Sequence, residues 1–559
     1  MRFRGFCVLL AVLAVFARRL PAEERPNVIL VMTDDQGYGD LSCHGNALIE
    51  TPNLDRLYAQ SVRFTDFHVD PTCSPTRAAL LTGRYSPRTG VWHTIQGRSL
   101  LHRDEVTVAD LFVQAGYRTG IFGKWHLGDN FPFRPEYRGF QESLVCGGGG
   151  IEQTPDAWGN TYFDAALRQN GKLVSTKGYC TAVFFDAALE FIDRHRDKPF
   201  FLYLPTNVPH GPFEVPEADL AHYRRKGLRD GVALFYGMIT NFDRHLGRLL
   251  DRLDSSGLTE NTLLIFLTDN GSTVGAFNVE MRGRKGSHYD GGHRVPFFVR
   301  WPKGFTGGRN IDRLTAHIDV LPTLAEICSL PLPADVPLDG RSLAKLLAGG
   351  RDWPDRTLFV QSHRIEHPKP YRKSAVLTQR HRLVGGVELY DIVNDPSQEK
   401  DLATKQPELA ATLRAAYDAW YASCATRFED YCRIVLGAPE ENPTTLTAHD
   451  WHGEKVPWNH GHVERQIEAN GFWAVDVARS GTYRLTLRAK PEVEAFPLGS
   501  GTVRLKVGPV EETQSVAGDV SAVSFTLGLE AGPARLQTWV EGDKGKRGAF
   551  YVEVERLDG

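Results

Sequence analysis

Four short apolar runs, each followed at once by polar side chains, limit the folds that this chain can adopt. They predict strands at residues 27–33, 118–122, 199–204 and 262–268, with amphipathic stretches between them up to about residue 330. This alternation is typical of an α/β fold in which a large, mostly parallel or mixed sheet carries helices on both faces. Ligands of such sheets bind beyond the carboxyl ends of the strands, so the polar residues there should form one site.

The sequence pattern changes twice further along the chain and predicts three domains. They are an α/β domain at 23–335, a small α+β subdomain at 336–430 and a β-sandwich at 440–559. The elements that carry this division are strands at 374–378, 481–489 and 502–507 and a helix at 407–421.

The amino terminus is typical of a signal peptide. Two arginines precede an apolar run over residues 6–16, and small residues follow at Ala17 and Ala22, so we expect removal of 1–22 and export to the periplasm or the exterior. No later stretch approaches the ~20 apolar residues of a membrane helix. The chain has 65 Lys and Arg against 68 Asp and Glu, so it lacks the excess of positive charge with which proteins bind nucleic acid.

The chain has eight cysteines, of which Cys7 belongs to the predicted signal peptide and Cys73 to the motif described next. In an exported protein the other six allow up to three disulfides. Free buried thiols are an equally good alternative.

Cys73 stands at the start of a predicted short helix. Ser74 is a good N-cap, Pro75 suits the first helical position, and Gly83 is a natural end. The free backbone N–H groups of such a helix start attract anions, and Arg77, one turn along, can reach back to residue 73. Alone, this pattern is more typical of a buried cysteine beside a cap.

Four oxygen donors follow the first and the last of the predicted strands. Asp34 and Asp35 follow one, and Asp269 and Asn270 follow the other. Carboxylate and amide oxygens suit Ca²⁺ or Mg²⁺ and suit zinc poorly. Such pairs are also common turn formers, so the metal site competes here with a structural role.

Basic side chains follow the other two strands and a glycine-rich loop. Lys124 and His126 would face the same way if their strand continued, His210 lies in a rigid loop between prolines, and Lys285 lies among glycines. A lysine can hold an anionic oxygen, and a histidine can move a proton near neutral pH. With Cys73 these residues supply a nucleophile, an anion clamp, an acid and a base.

Taken together, the motifs resemble the formylglycine-dependent sulfatase family of the alkaline phosphatase superfamily, over about residues 25–425. The matching segments are TDDQG at 33–37, TPNLD at 51–55, CSPTR at 73–77, KWH at 124–126, PH at 209–210, TDNG at 268–271, GGHRVP at 291–296 and ELYD at 388–391. The resemblance implies an alkaline phosphatase-like fold and a sulfuric ester hydrolase that removes sulfate from a sulfated carbohydrate or an aryl ester.

The resemblance also implies a modified residue and a metal. A formylglycine-generating enzyme would convert Cys73 to formylglycine (3-oxoalanine). That residue would bind one Ca²⁺, with Mg²⁺ as the alternative, together with Asp34, Asp35, Asp269 and Asn270.

The family mechanism assigns the remaining roles. Arg77 would steady the hydrated aldehyde while Lys124 and Lys285 clamp the sulfate. After one aldehyde hydroxyl attacks sulfur, His210 with Lys285 would protonate the leaving oxygen, and His126 would take a proton as sulfate departs.

Several roles stay open at this level. His293 is a candidate substrate contact, although a structural role in its loop is favoured. Packing is favoured over sugar binding for the aromatic residues near the start of the predicted sandwich, Trp451, Trp458, His460, His462 and Trp473. The glycine-rich stretch 146–159 should shape the pocket, and a sulfated polysaccharide or glycosaminoglycan is the expected substrate.

Two rival functions remain. A phosphonate or phosphate monoester hydrolase shares the superfamily fold and can share the nucleophile. The other rival is an inactive sulfatase-like protein that binds sulfated glycans through its sandwich. In such a protein catalytic residues would be replaced, and none of them is replaced in this sequence.

Overall fold

The computed structural model describes residues 25–558 apart from 335, 495, 519, 543 and 544, so the predicted signal peptide lies outside the described residues. The strands of the first part of the chain are β1 (Asn27–Thr33), β2 (Val62–Phe64), β3 (Phe67–His68), β4 (Arg118–Lys124), β5 (Glu142–Cys146), β6 (Ala166–Gln169), β7 (Lys172–Ser175), β8 (Phe200–Pro205), β9 (Thr262–Thr268), β10 (Phe297–Arg300), β11 (Arg309–Ile311) and β12 (Thr315–Ala316). Its α-helices are α1 (Pro52–Gln60), α2 (Cys73–Thr82), α3 (Val108–Gln114), α4 (Cys180–His195), α5 (Glu217–Arg225), α6 (Asp230–Ser255), α7 (Val320–Cys328) and α8 (Ala344–Leu347).

A ten-stranded sheet organises this part of the chain, in the order β11-β2-β10-β9-β1-β8-β4-β5-β6-β7. Its centre, from β9 through β1, β8 and β4 to β5, is parallel. On either side, β10 and β6 run antiparallel to their inner neighbours. The predicted parallel arrangement is therefore confirmed for the centre, and the flanking strands make the whole sheet mixed.

Strand β1 shows why its sequence is an unbroken apolar run. Val28, Leu30 and Met32 belong to the core on one face of the sheet, and Ile29 and Val31 belong to the core on the other. Side chains alternate between faces along a strand, and both faces of this strand are covered by helices. The first core includes α3 and α7, and the second includes α4 and α6.

The order of the central strands places the predicted polar segments side by side. The strands β9, β1, β8 and β4 are consecutive neighbours in the sheet and are all parallel. Their carboxyl ends therefore lie at one edge, as predicted from the sequence. Strands β1 and β9 have the predicted bounds, whereas β4 continues to Lys124 and β8 to Pro205.

A second sheet is four-stranded and antiparallel, and it packs beside the first. Its elements are β13 (Leu358–Gln361), β14 (Ser374–Leu377), β15 (His381–Val384), β16 (Glu388–Asp391) and the helix α9 (Pro407–Ala425). One apolar cluster joins this unit to Ala79 of α2 and to Trp92. The α+β character predicted for this stretch is confirmed, although α9 runs four residues beyond the predicted end at 421.

The last part of the chain forms two sheets around one core. The elements are β17 (Ile434–Leu436), β18 (Thr444–Thr447), α10 (His460–Glu464), β19 (Phe472–Val477), β20 (Gly481–Arg488), β21 (Gly501–Val507), β22 (Val510–Val516), β23 (Ala522–Leu529), β24 (Gly532–Gly542), β25 (Gly545–Arg547) and β26 (Tyr551–Arg556). One sheet has the order β17-β19-β24-β21-β22, with β25 on β24, and the other has the order β18-β26-β20-β23. Leu100 and Phe133 of the first part enter the shared core, so the sandwich packs against the α/β unit.

The cysteines in the described part of the chain form no disulfide. Burial raises the pKa of several of them, among them Cys180 to about 12, which keeps these thiols protonated and unreactive. The three possible disulfides do not form, and the alternative of free thiols is confirmed. The free cysteines are Cys43, Cys73, Cys146, Cys180, Cys328, Cys424 and Cys432.

No helix among the described residues combines the length and the apolar composition needed to cross a bilayer. Long apolar runs occur instead in the sheet, where β1 and β9 are buried throughout.

A buried charge network ties the second sheet to the first. Arg382 of β15 donates to Asp66 at 2.9 Å and to Asp290 at 3.1 Å, and all three side chains are buried. His68 lies 2.9 Å from Asp66 and 2.8 Å from His293. Burial alone would raise the pKa values of the two carboxyls, but Arg382, with smaller contributions from His68 and Arg294, outweighs burial and holds both pKa values below their usual range.

We predict that Arg382→Met destabilises the protein by about 3–5 kcal/mol, because it leaves two buried carboxylates without their cation. The measurement is the free energy of unfolding from urea titration. Arg380→Met is the matched control, because Arg380 is exposed and its ion pair with Asp391 lies at the surface. Equal small losses for both variants would show that the network does not stabilise the fold.

Candidate active site

Two carboxylates and an amide meet between the ends of β1 and β9. The backbone N–H of Asp35 donates to Asp269 Oδ1 at 3.0 Å, and Asn270 Nδ2 donates to Asp35 Oδ1 at 3.0 Å. Asp34, Asp35, Asp269 and Asn270 are all buried. Asp35 has a φ of 72°, a left-handed conformation that is uncommon for residues other than glycine and costs about 1–3 kcal/mol. The surrounding structure therefore holds Asp35 in a strained position.

Cys73 is the first residue of α2, so the helix begins two residues earlier than the predicted first position, Pro75. Thr72, in an extended conformation, is the N-cap residue and not Ser74, and Gly83 ends the helix with a φ of 68° as predicted. Every residue of α2 is buried. The start of the helix directs its free backbone N–H groups at the site.

Two buried cations hold the carboxylates in place. Lys124 Nζ lies 2.6 Å from Asp34 Oδ2, and Arg77 Nη2 lies 2.9 Å from Asp269 Oδ2. Arg77 also donates to the carbonyl oxygen of Lys124 at 2.7 Å. Arg77 thus links α2, β4 and the end of β9, and it contacts the acidic group instead of pointing only at residue 73.

Lys285 and His210 face Asp35 from the other side. Lys285 Nζ lies 2.6 Å from Asp35 Oδ1, and His210 Nε2 lies 3.9 Å from Asp35 Oδ2. Burial and then Lys285 lower the pKa of His210 to about 3. Burial lowers the pKa of Lys285, but Asp35 together with the other negative groups nearby outweighs burial and raises that pKa. In this arrangement His210 is neutral and Lys285 carries the proton.

His126 does not continue strand β4, so the predicted alternation with Lys124 is wrong. The strand ends at Lys124, and His126 has a φ of 62°. Its Nε2 is 2.9 Å from the carbonyl oxygen of Thr94, which fixes the proton on that nitrogen. Burial and then Lys124 lower the pKa of His126 well below the usual value. Nδ1 has no hydrogen-bond partner among the described residues and is open to accept a proton.

The glycine-rich stretch 146–159 packs against both imidazoles. A Cβ on Gly149 would come within 2.4 Å of the His126 ring, and one on Gly150 would lie 3.6 Å from His210 Nδ1. Gly149 is therefore required for the close approach of this loop to His126.

The donor set fits a divalent cation. A ligand atom from each of Asp34, Cys73 and Asp269 lies within 4.8 Å of the other two. The buried oxygens Asp34 Oδ1 and Asn270 Oδ1 have no hydrogen-bond partner. Burial and then the neighbouring Asp34 raise the pKa of Asp269 to about 7. Unpaired oxygens on crowded carboxylate and amide groups are what a hard cation satisfies.

A second group, Asp66, His68 and Asp290, also has the spacing of metal ligands. Here, however, the guanidinium of Arg382 already donates to both carboxylates. Both carboxylates of this second group are thus already bonded, whereas Asp34 Oδ1 and Asn270 Oδ1 have no partner among the described residues, so the group around Cys73 is the better metal site.

A cavity of about 180 Å³ opens above Cys73. His126, His210 and Lys285 line it as predicted, whereas Lys124 is buried beneath it. The other lining residues are Thr72, Thr94, Ile95, Gln153, Arg364 and Trp458. Of these, only Trp458 was named from the sequence as a possible substrate contact.

His293 is not brought to this cavity. It is fully buried and bonded to His68 in the network that Arg382 joins. The structural role favoured from the sequence agrees with this position, and substrate contact by His293 does not.

The aromatic residues near the sandwich divide into two groups. Trp451 and Trp473 are fully buried and in contact with each other, which agrees with packing. His460 stacks on Trp158 with the ring centres 4.4 Å apart. Trp458 is 40% exposed and lines the cavity, so packing does not explain it.

Comparison with known proteins gives the same reading as the geometry. The family described as Sulfatase matches residues 26–329, and the family described as N-sulphoglucosamine sulphohydrolase, C-terminal, matches residues 284–417. Human arylsulfatase A is 34% identical over 384 residues, which cover 62% of this chain and 73% of the relative. The N-acetylgalactosamine-6-O-sulfatase of Bacteroides thetaiotaomicron is 29% identical over 479 residues, covering 70% and 92%.

Solved structures share the fold. The crystal structure of Ps i-CgsB in complex with k-i-k-neocarrahexaose superposes with a TM-score of 0.65 at 28% identity and covers 71% of this chain and 92% of that one. The phosphonate monoester hydrolase of Agrobacterium radiobacter, at 23% identity, has a TM-score of 0.53 over 72% of this chain and 96% of its own, and shows a common fold only. The Sulfatase family covers more than half of the sequence, and the matched part includes Cys73, the polar residues that follow β1 and β9, and the basic residues His126, His210 and Lys285. The chain therefore belongs to the sulfatase family and is a hydrolase of sulfate esters.

Proposed function

We propose that the chain is an exported, calcium-dependent sulfatase that acts on a sulfated carbohydrate through a formylglycine made from Cys73. The observation that carries this proposal is the position of Cys73, at the floor of the cavity and within 4.8 Å of ligand oxygens of Asp34 and Asp269. A formylglycine-generating enzyme would oxidise the Cys73 side chain with O₂ and two electrons from a reductant, giving an aldehyde, hydrogen sulfide and water. The hydrate of that aldehyde would place a hydroxyl nucleophile beside Asp34 and Asp269.

The metal would be held by Asp34, Asp35, Asp269, Asn270 and residue 73. All-oxygen donors favour Ca²⁺ over zinc, with Mg²⁺ as the alternative. When bound, such an ion lowers the pKa of a coordinated hydroxyl and offsets charge on the transferred group.

The cations of the chain would position the sulfate. Lys285 lines the cavity and would hold a sulfuryl oxygen beside the free N–H groups at the start of α2. Lys124 lies beneath the floor, where it keeps Asp34 in place and adds positive charge. Arg77 fixes Asp269 in the same way.

Two imidazoles that line the cavity would move protons. His126 offers an unpaired Nδ1, so it suits the base. His210 and Lys285 lie together over Asp35, and the proton of Lys285 would pass to the leaving oxygen directly or through His210 Nε2. The pair is therefore the general acid.

The relatives support a carbohydrate substrate. One of them is named as an N-acetylgalactosamine-6-O-sulfatase, and one solved structure, at 22% identity, holds D-glucosamine-2-N,6-O-disulfate as its substrate. We propose the domain boundaries 23–335, 336–430 and 440–559, with residues 1–22 removed on export. The sandwich would then be an accessory domain of a secreted enzyme.

We predict that the wild-type protein hydrolyses 4-nitrophenyl sulfate and that Cys73→Ala lowers kcat by roughly 10³-fold or more, because the nucleophile is lost. Cys43→Ala is the control and should retain activity, since Cys43 contacts Asp55 away from the cavity. Faster hydrolysis of a matched 4-nitrophenyl phosphonate ester would favour the rival phosphonate hydrolase.

We predict that chelation abolishes turnover and lowers the Tm, and that Ca²⁺ restores both. Asp34→Asn should raise the Ca²⁺ concentration needed roughly tenfold or more, because a carboxylate ligand is lost. Calorimetric titration of the chelated protein measures this directly. Asp197→Asn, at a side chain that is 91% exposed, should leave the titration unchanged. Full activity and unchanged Tm in excess chelator would contradict the metal site.

We predict that His210→Ala slows hydrolysis of a sugar sulfate by roughly 100-fold or more but affects 4-nitrophenyl sulfate much less, because a sugar alcohol needs a proton to leave and nitrophenolate does not. The comparison uses kcat for both substrates, and His367→Ala, an exposed histidine, is the control. An equal loss with both substrates would remove His210 from the acid role.

A further inference from the structure

The wall of the cavity opposite Cys73 comes from two segments outside the sheet edge. Arg364 lies after β13 in the second sheet, and Trp458 lies just before α10, in the region of the sandwich. Neither residue belongs to the group of buried carboxylates, and neither is one of the three cations that pair with those carboxylates. The cavity thus has a wall whose residues the sulfate chemistry does not use.

Trp458 is held in place by backbone pairing. Thr154 N donates to the carbonyl of Trp458 at 3.1 Å, and His460 N donates to the carbonyl of Glu152 at 2.9 Å. Gln153, itself a lining residue, forms a bridge with Asn459 between these two bonds. The segment 457–460 is therefore bonded along the glycine-rich stretch, which fixes the backbone of Trp458 at the cavity, and the ring of Trp458 packs against His462.

Arg364 is an exposed cation without a partner. No described residue accepts a hydrogen bond or an ion pair from its guanidinium. The carboxylate two residues along, Glu366, is already bonded to His452 at 2.9 Å and to Arg98 at 3.2 Å. Arg364 also has a φ of 46°, so the chain is held in an uncommon conformation at this point.

The charge of the cavity wall is unbalanced as a result. Among the described residues that line the cavity there are two cations, Lys285 and Arg364, and no carboxylate. Lys285 has Asp35 as its partner, but Arg364 has none. An arginine with free N–H groups suits the planar, two-oxygen face of a sulfate or a carboxylate.

We propose that Arg364 and Trp458 form a second subsite, which binds a sugar ring that carries a second anionic group beside the sulfate to be cleaved. This inference rests on the proposed sulfatase function and names its substrate class. Trp458 supplies an apolar platform for the ring, and Arg364 binds the second anion, a sulfate or a carboxylate. The cavity of about 180 Å³ is smaller than the ~300 Å³ of a drug-sized pocket, so both anions lie on one sugar or on adjoining sugars.

The test compares matched pairs of ligands on the full-length enzyme. One pair is N-acetylglucosamine 6-sulfate and glucosamine 2-N,6-O-disulfate. The other is a uronate-linked N-acetylgalactosamine 6-sulfate disaccharide and its methyl ester. Each is measured by kcat/KM or, where it is not turned over, by inhibition of 4-nitrophenyl sulfate hydrolysis. The first pair tests whether the subsite binds a second sulfate, and the other pair tests whether it binds a carboxylate.

We expect the doubly charged member of at least one pair to be preferred, and Arg364→Gln to reduce that preference roughly tenfold. Arg351→Gln, at an exposed arginine outside the cavity, is the matched control and should not change the preference. Trp458→Ala should raise the KM or the inhibition constant of every sugar ligand, and Trp458→Phe should restore it, because the ring is kept.

Each result decides the inference. If wild type hydrolyses 4-nitrophenyl sulfate but prefers neither doubly charged ligand, or if Arg364→Gln leaves the preference intact, the subsite is disproved and the sulfatase function stands. If protein with a converted Cys73 hydrolyses neither 4-nitrophenyl sulfate nor a sugar sulfate, the proposed function fails first.

Discussion

Buried negative charge at the ends of β1 and β9 is the constraint on which the site depends. Asp34, Asp35 and Asp269 are taken out of water together, and each is paired with a different cation: Lys124, Lys285 and Arg77. Isolated buried carboxylates would cost several kcal/mol each, so these pairs are a condition of folding. Even so, two buried oxygens remain unpaired, and the pKa of Asp269 rises to about 7. These unpaired oxygens among crowded carboxylates are the physical basis for assigning a cation to this point.

The rest of the structure holds that charged group and gives it a cavity. Asp35, His126 and Arg364 all have positive φ values, and all lie at the edge of the cavity or beneath it. Strained backbone persists only where the surroundings fix it. The glycine-rich stretch, bonded to the segment that carries Trp458, closes one side, and the Arg382 network anchors the second sheet, from which Arg364 extends. The sandwich and the second sheet therefore complete the pocket of the α/β unit.

The sequence predicted the parts of the site that follow buried strands. Strands β1 and β9 are apolar throughout because both sheet faces are covered, so their ends, and with them Asp34 and Asp269, were located correctly. His126 was placed on a strand because nothing in the sequence marks its turn conformation. Arg364 was not predicted as a site residue, and Trp458 was assigned to packing, because they reach the cavity through contacts between residues distant in sequence. The one local signal in the sequence was that Trp458 lies in a stretch with Gly and Pro residues, where a tryptophan is less expected in a packed core.

The central claim is that residue 73 is the oxygen nucleophile of a metal-dependent sulfatase. It is tested most directly by the mass of the tryptic peptide 64–77, isolated from protein made in its native host. The account predicts that this peptide has lost the mass difference between a thiol and an aldehyde, and that a carbonyl reagent labels it. An intact thiol at residue 73 in protein that hydrolyses sulfate esters would contradict the account.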